Sequence, residues 1–507
     1  MSQSLPAQPS LRQLKNQAKK LLLDLKNAQP DAGRRFTEAT NRPSPQAPKL
    51  NDAQLVLARE YGFTNWAELK TEVERREKQA EGVLLNQFRD AVRGGNVPTV
   101  EALLKKHSLL RRKVNDPLFD FGGSAILNAV GRKDRSMVDA LLKAGANLNQ
   151  KSRWEPGGFG VLDRVESELG EYLIARGAEV DIHAAAHLGK ANRIRELLAI
   201  DPALVNSRGG DGGTPLHFAV NIEVAEVLLR FGADVTIRDK DHGSTPAMWL
   251  IKNKPVLYRL IEAGSPIDIY MACVHGDRAL AERALREDPE CLGAFVSHRG
   301  GQGKFAPDTG GNIYNWEVGH AARPIPVAAK FGHRALVEFL LSKASPAERL
   351  LALCLMGDQP AVERLARENP SLAANLAEDK ARALTDAIHF RNREAARLML
   401  DAGFPITAKG MDGGDSMHLA AWHGDLEFVQ RLIERGAFLE NRDNDYAGTP
   451  LEAACHGSLH CWDKEKGDYP GVVAALIGAG AKVEKQSTLK KSGATEWASL
   501  EVMEVIP

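Results

Sequence analysis

The stretch Gly-Thr-Pro-Leu-His-Phe-Ala at residues 213–219 decides the fold. Its threonine can cap a helix, and its proline stands at the first helical position, where a backbone N–H has no partner to lose. Seventeen residues after Leu216, Gly-Ala-Asp-Val at residues 232–235 supplies a glycine that can end a second helix. The two runs together predict one pair of helices.

The same punctuation recurs along the chain. A Thr-Pro start returns at residues 245–246 and 449–450, and a glycine stop returns at Gly264 and Gly480. The capping threonines Thr214 and Thr245 are 31 residues apart, which is the period of stacked helix pairs. The sequence therefore predicts an all-α solenoid of about twelve helix pairs, in which each pair packs on its neighbours.

These repeats resemble the ankyrin family over residues 84–484, most closely at residues 213–239, 244–268 and 415–443. In the last of these, Asp415 replaces the capping threonine, and aspartate caps equally well. The resemblance implies a structural role for His217 and His418, whose rings should bond the helix cap. Residues 11–15 and 52–66 resemble a leader that precedes ankyrin repeats in bacterial proteins, which implies a bacterial cytosolic setting and no particular activity.

Residues 1–80 predict a small helical unit outside the repeat period. A leucine stripe over residues 11–25 indicates an amphipathic helix, three prolines within residues 41–49 indicate an extended linker, and Asn65 can cap a further helix. Up to residue 50 there are nine Lys/Arg against three Asp/Glu. We interpret this bias as the solvated face of an N-terminal cap. Residues 485–507 are expected to form a C-terminal cap or tail.

The composition excludes several classes of protein. The 507 residues contain 66 Lys+Arg and 66 Asp+Glu, so there is no net charge to attract nucleic acid nonspecifically. No stretch has the length and apolarity of a signal core or a membrane span. The five cysteines are odd in number and are expected to be buried thiols in a reducing compartment. We therefore expect a cytoplasmic protein with neither nucleic acid nor membrane as a partner.

Three segments exceed the repeat length: residues 151–160, 293–319 and 457–471. Each contains a tryptophan beside a carboxylate, in the pairs Trp154-Glu155, Trp316-Glu317 and Trp462-Asp463. An indole next to an acid can stack on a sugar or hold a cation, and tryptophan is also enriched among interface anchors. The alternative is that each indole covers the repeat core beneath its own loop.

The remaining motifs predict no metal and no cofactor. His183 and His187 lie four residues apart without a third ligand, and the run from Cys455 to Cys461 fits no standard zinc spacing. Residues 300–304 (Gly-Gly-Gln-Gly-Lys) lack the Ser/Thr and the preceding strand of a phosphate-binding loop. We also find no nucleophile elbow and no Cys/His pairing in the sequence.

Two functions follow from these observations. The first is a noncatalytic scaffold that binds a protein partner, with residues 293–319 shaping its specificity and with four anchors, namely Tyr314, Trp316, Trp422 and Trp462. The alternative is a ligand-binding or hydrolytic protein, carbohydrate-active for example, whose site lies in the concave groove. It would use Trp154, Glu155, Trp316, Glu317, Trp462 and Asp463. Convergence of the inserted segments on one cavity favours the alternative, and their scattering favours the scaffold.

Overall fold

The protein is all-helical in the computed structural model, which describes residues 4–6, 9–296, 312–483 and 498–506. In those residues, β-pairing is limited to one isolated bridge between Phe119 and Gly123. The chain divides into two compact units, one of Met1–Trp154 with Phe159–Glu179 and the other of Glu155–Gly158 with Val180–Pro507. None of the described helices combines the length and apolar character needed to cross a membrane.

The first unit begins with four helices and continues into repeats. Its helices are α1 (Leu11–Lys26), α2 (Pro30–Thr40), α3 (Leu50–Glu60), α4 (Trp66–Arg93), α5 (Val97–Lys106), α6 (Ser108–Lys113), α7 (Ala125–Gly131), α8 (Arg135–Lys143) and α9 (Ser167–Ile174).

The N-terminal helices follow the predicted pattern with one addition. Asn65 caps α4 by accepting a hydrogen bond from the Glu68 backbone N–H at 3.0 Å, as its position in the sequence indicates. Helix α2, which starts at Pro30, is not among the predicted helices and packs Phe36 into a small core with α1 and α3. Helix α4 runs for 28 residues without a break into the first repeat.

The second unit is built of further helix pairs. Its helices are α10 (Ile182–His187), α11 (Ala191–Ile200), α12 (Ile222–Arg230), α13 (Pro246–Trp249), α14 (Lys254–Glu262), α15 (Ile269–His275), α16 (Arg278–Glu287), α17 (Tyr314–Glu317), α18 (Pro324–Lys330), α19 (Arg334–Lys343), α20 (Pro346–Met356), α21 (Gln359–Glu368), α22 (Glu378–Ala381), α23 (Ala383–His389), α24 (Arg393–Asp401), α25 (Ser416–Trp422), α26 (Leu426–Glu434), α27 (Pro450–His460), α28 (Tyr469–Gly478) and α29 (Leu500–Met503).

The all-α repeat fold predicted from the sequence is confirmed. The described residues contain twelve helix pairs, three in the first unit and nine in the second, if the shortened first helices before α9 and α12 are included. The one before α12 is a 3-10 turn over Pro215–Phe218, and Asn221 caps α12 directly afterwards. The predicted short connection in this repeat is therefore present.

The final repeat differs from its predicted form. The sequence indicates extra length from Gly457 to Gly471, whereas α27 continues through Gly457 to His460. A Cβ at Gly457 would lie 2.2 Å from the carbonyl oxygen of Trp422, so glycine here permits close packing of α27 on α25. Only residues 461–468 are left to connect α27 to α28.

Candidate binding surface of the second unit

Trp154 and Glu155 are adjacent in sequence but belong to different units. The Trp154 ring meets Phe121 edge-on in the first unit, with centroids 5.0 Å apart. Glu155 is exposed and starts the short segment of the second unit that ends at Gly158. In that segment the Gly157 carbonyl accepts a hydrogen bond from the Asp211 N–H at 3.1 Å. This first Trp-acid pair is therefore split structurally.

Trp316 and Glu317 lie on the short helix α17. Trp316 is 52% exposed and rests against the ring of His242, with centroids 4.8 Å apart. Glu317 forms an ion pair with Lys252 at 3.1 Å. Residues 297–311 of the predicted long insert, including the glycine-rich run at 300–303, lie outside the described residues.

The histidine beneath Trp316 lies in an acidic environment. His242 Nε2 is 3.5 Å from an Asp241 carboxylate oxygen and 3.7 Å from an Asp211 oxygen. Burial opposes protonation of this ring, but the hydrogen bond to Asp211 and the nearby carboxylates raise its pKa above the usual value. The Trp249 indole N–H donates to Asp239 at 2.9 Å and fixes the wall of this cluster.

Trp462 lies over a second buried histidine cluster. It is 64% exposed, and its ring meets His389 and His423 edge-on, each with a centroid distance of 4.9 Å. The adjoining Asp463 points inward and pairs with the Arg391 Nε at 2.5 Å. Burial opposes ionisation of Asp463, yet the bonds from Arg391 and Cys461 outweigh it and lower the pKa of the carboxyl to about 2.

The structure reveals a Cys/His pairing that the sequence was expected to lack. Cys461 Sγ is 3.5 Å from His423 Nδ1 and 3.1 Å from Asp463 Oδ1, to which the thiol donates. Burial raises the pKa of the Cys461 thiol and lowers that of His389 to about 3. A thiol with a raised pKa is a poor nucleophile, so this trio lacks the feature that activates a catalytic cysteine.

The other two candidate residues are less accessible than Trp316 and Trp462. Tyr314 is fully buried and donates its hydroxyl to Asp268 at 2.7 Å, so its ring is part of the core and not of the surface. Trp422 is half-buried at the end of α25, with its ring 5.4 Å from that of His456. Of the four predicted anchors, only the indoles of Trp316 and Trp462 are largely exposed.

A chain of ring contacts connects the segments that carry the two exposed indoles. His320, which follows α17, is 3.1 Å from Asn315 and stacks flat on Phe390 at 5.2 Å. Phe390 contacts His389, which in turn contacts Trp462. The acids beside the two indoles are each committed to a separate cation. The arrangement presents two aromatic faces above linked, buried histidines.

This cluster could have been anticipated from the repeat period. His389 and His423 are 34 residues apart, which is one repeat, and residues at equivalent positions of adjacent repeats become neighbours when the repeats stack. Their ring centroids are 5.2 Å apart. Cys461 and Asp463 join them because they begin the connection after α27.

Comparison with known proteins finds repeats of one kind. An ankyrin repeat model matches residues 211–240. An ankyrin repeat domain-containing protein of Stachybotrys chartarum is 23% identical over 414 residues, covering 70% of this chain and 20% of that protein. A putative ankyrin repeat protein of fowlpox virus is 30% identical over 166 residues, covering 30% of this chain and 44% of that protein. The serine/threonine-protein kinase VIK of Arabidopsis thaliana is 47% identical over 58 residues, or 11% and 13% of the two chains. The chain spans less than half the length of each of these relatives.

Proposed function

Because the chain belongs to the ankyrin repeat family, we propose that it is a noncatalytic scaffold that binds another protein through its second unit. Ankyrin repeats present a stacked surface whose partner is chosen by the side chains it displays. The contact proposed here centres on the indoles of Trp316 and Trp462. The five buried free thiols suit a reducing compartment, and the proposal places the protein in the cytoplasm.

The observation that carries the proposal is that both indoles are exposed and yet held in place. Each is more than half exposed, and each rests on the ring of a buried histidine. A large aromatic side chain fixed before binding loses little conformational entropy when a partner covers it. Tryptophan is also among the residues that most often dominate the binding energy of an interface.

The charges around the indoles support a protein partner more than a glycosidic substrate. Glycoside hydrolysis needs two carboxyl groups facing one another across the scissile bond, about 5 to 10 Å apart. Glu317 is paired with Lys252, and Asp463 is paired with Arg391 and turned inward. Both acids therefore serve the structure around their indoles.

The test compares two exposed aromatic positions with a third. The full chain with Trp316→Ala and Trp462→Ala is used beside the wild type as bait for proteins and co-purifying small molecules. Phe438→Ala is the matched control, because Phe438 is 67% exposed in the same unit and has no part in either histidine cluster. Loss of a hot-spot tryptophan costs about 2 kcal/mol or more, or about 30-fold in affinity.

The proposal requires a protein that binds wild type and Phe438→Ala alike and that the double variant binds at least about 30-fold more weakly. Equal binding by all three would contradict the assignment of the surface. A bound sugar or other metabolite, with no protein retained, would instead support the ligand-binding alternative.

A further inference from the structure

Three side chains with metal-ligating atoms meet where α27 ends. His423 Nδ1 is 3.5 Å from Cys461 Sγ and 3.3 Å from Asp463 Oδ1, and Sγ is 3.1 Å from Oδ1. Imidazole, thiolate and carboxylate are the three ligand types that zinc takes in proteins. We propose that His423, Cys461 and Asp463 bind one divalent transition-metal ion, and that zinc is the ion this set fits.

The spacing of the three atoms matches a tetrahedral zinc ion. With bonds of about 2.3 Å to sulfur, 2.05 Å to nitrogen and 2.1 Å to oxygen, the tetrahedral edges are about 3.5 Å for N–S, 3.4 Å for N–O and 3.6 Å for S–O. The two edges that involve His423 agree with the structure to about 0.1 Å. The S–O edge is shorter because the thiol hydrogen-bonds to the carboxylate. Metal binding would release that thiol proton and lengthen the edge.

Each ligand is held from behind by the surrounding residues. The other ring nitrogen of His423, Nε2, is 3.4 Å from His389 Nδ1, and the other oxygen of Asp463, Oδ2, accepts from Arg391. Arg391 also donates to the His423 carbonyl at 2.8 Å, which ties α25 to the same guanidinium. Supporting bonds of this kind orient first ligands and raise metal affinity.

Three protein ligands leave one coordination position open. Structural zinc sites have four protein ligands, whereas sites with three keep a position for water or another ligand. Trp462, whose ring lies against His389 and His423, forms one side of the entrance. The ion would therefore lie beneath one of the two proposed partner anchors. The sequence gives no hint of this because His423 is 38 residues from Cys461.

Cobalt spectroscopy tests the proposal directly. The reduced, chelator-treated full chain is titrated with Co²⁺ and then with Zn²⁺, and the near-ultraviolet thiolate-to-cobalt band reports the cysteine ligand. We expect one Co²⁺ per chain, with the band, displaced by one Zn²⁺. Cys461→Ser should abolish the band, and Asp463→Asn should weaken Zn²⁺ binding by more than about 100-fold, since loss of a supporting partner alone costs 10–100-fold.

Three controls separate this site from others. Cys455→Ala removes a buried thiol from the same helix, and His456→Ala with His460→Ala removes a neighbouring histidine pair. Asp241→Asn alters the other metal-ligating cluster, that of Asp211, Asp241 and His242. All three should keep the band, and circular dichroism should show every variant folded. Absence of stoichiometric Co²⁺ from the wild type, or a band that survives in folded Cys461→Ser, would overturn the proposal.

Discussion

Two histidines at equivalent repeat positions are held in opposite protonation states. His217 Nδ1 accepts a hydrogen bond from the Thr214 N–H at 2.9 Å, so its proton is on Nε2, which donates to the Ser244 carbonyl. His418 has acceptors at both nitrogens, Asp415 Oδ1 at 2.7 Å and the Asn441 carbonyl at 2.9 Å. Burial lowers the pKa of His217 to about 4. Burial would also lower that of His418, but the Asp415 carboxylate raises it overall.

Replacing the charged cap should therefore reverse the titration of His418. Asp415→Thr removes the anion while keeping a side chain that can cap α25. We expect the pKa of His418 to fall by about 1 to 3 units, or about 1.4 to 4 kcal/mol, because that is the effect of a neighbouring opposite charge. The reciprocal variant Thr214→Asp should raise the pKa of His217.

The same pair gives pH dependences of opposite sign. The unfolded chain protonates His217 near pH 6.5, while the folded chain resists until about pH 4, so stability is lost as pH falls through this range. The loss approaches about 3 kcal/mol at pH 4, from about 1.36 kcal/mol per unit. The raised pKa of His418 contributes stability below pH 6.5 that disappears as pH rises through its folded value.

Histidine-selective nitrogen-15 NMR measures both titrations in one sample. His217→Gln and His418→Gln assign the two signals, and Asp134→Asn is the control because Asp134 caps α8 in the first unit. The reasoning fails if the two rings titrate at the same pH in the wild type. It also fails if Asp415→Thr leaves the pKa of His418 unchanged.

Three further predictions concern stability, each measured by urea unfolding. Gly457→Ala should cost about 1 to 3 kcal/mol because its Cβ would lie 2.2 Å from the Trp422 carbonyl oxygen, whereas Gly478→Ala, with nothing within 4 Å in α28, should stabilise by up to about 1 kcal/mol; equal effects would contradict the close packing. Ser345→Ala should cost about 1 kcal/mol by removing the capping box of α20, and no change would mean that the box is not formed in solution. Phe428→Ala should cost about 3 to 5 kcal/mol because Phe428 is 1% exposed in the core of the last repeats, and a cost below about 1 kcal/mol would contradict that burial.

The fold was largely predictable because helix punctuation is local. Asp415 accepts from the Met417 and His418 N–H groups at 3.1 Å, and Gly436 ends the same repeat with a φ of 74°, as residues 415–437 predict. Helix α2 was missed because Gly33 and two threonines weaken its helical signal and because Gln29 supplies no side-chain cap.

The site was less predictable because it depends on contacts between repeats. The sequence identified Trp316 and Trp462 from the extra length around them, but not that Tyr314, two residues from Trp316, is fully buried. The histidine under each indole comes from another repeat, and the spacing of one repeat does not reveal which rotamer each side chain adopts. The Cys461–His423 contact required the position of the chain after α27.

The length of α4 has a consequence for how the first unit melts. A single helix of 28 residues, about 42 Å long, belongs at one end to the N-terminal helices and at the other to the first repeat. Leu69 and Val73 are buried in its first half, and Phe88 and Val92 in its second. Helix formation is cooperative, so fraying that starts in one half weakens the other. Hydrogen exchange should therefore find the leader and the first repeat opening as one foldon, not as a cap that detaches from an intact array.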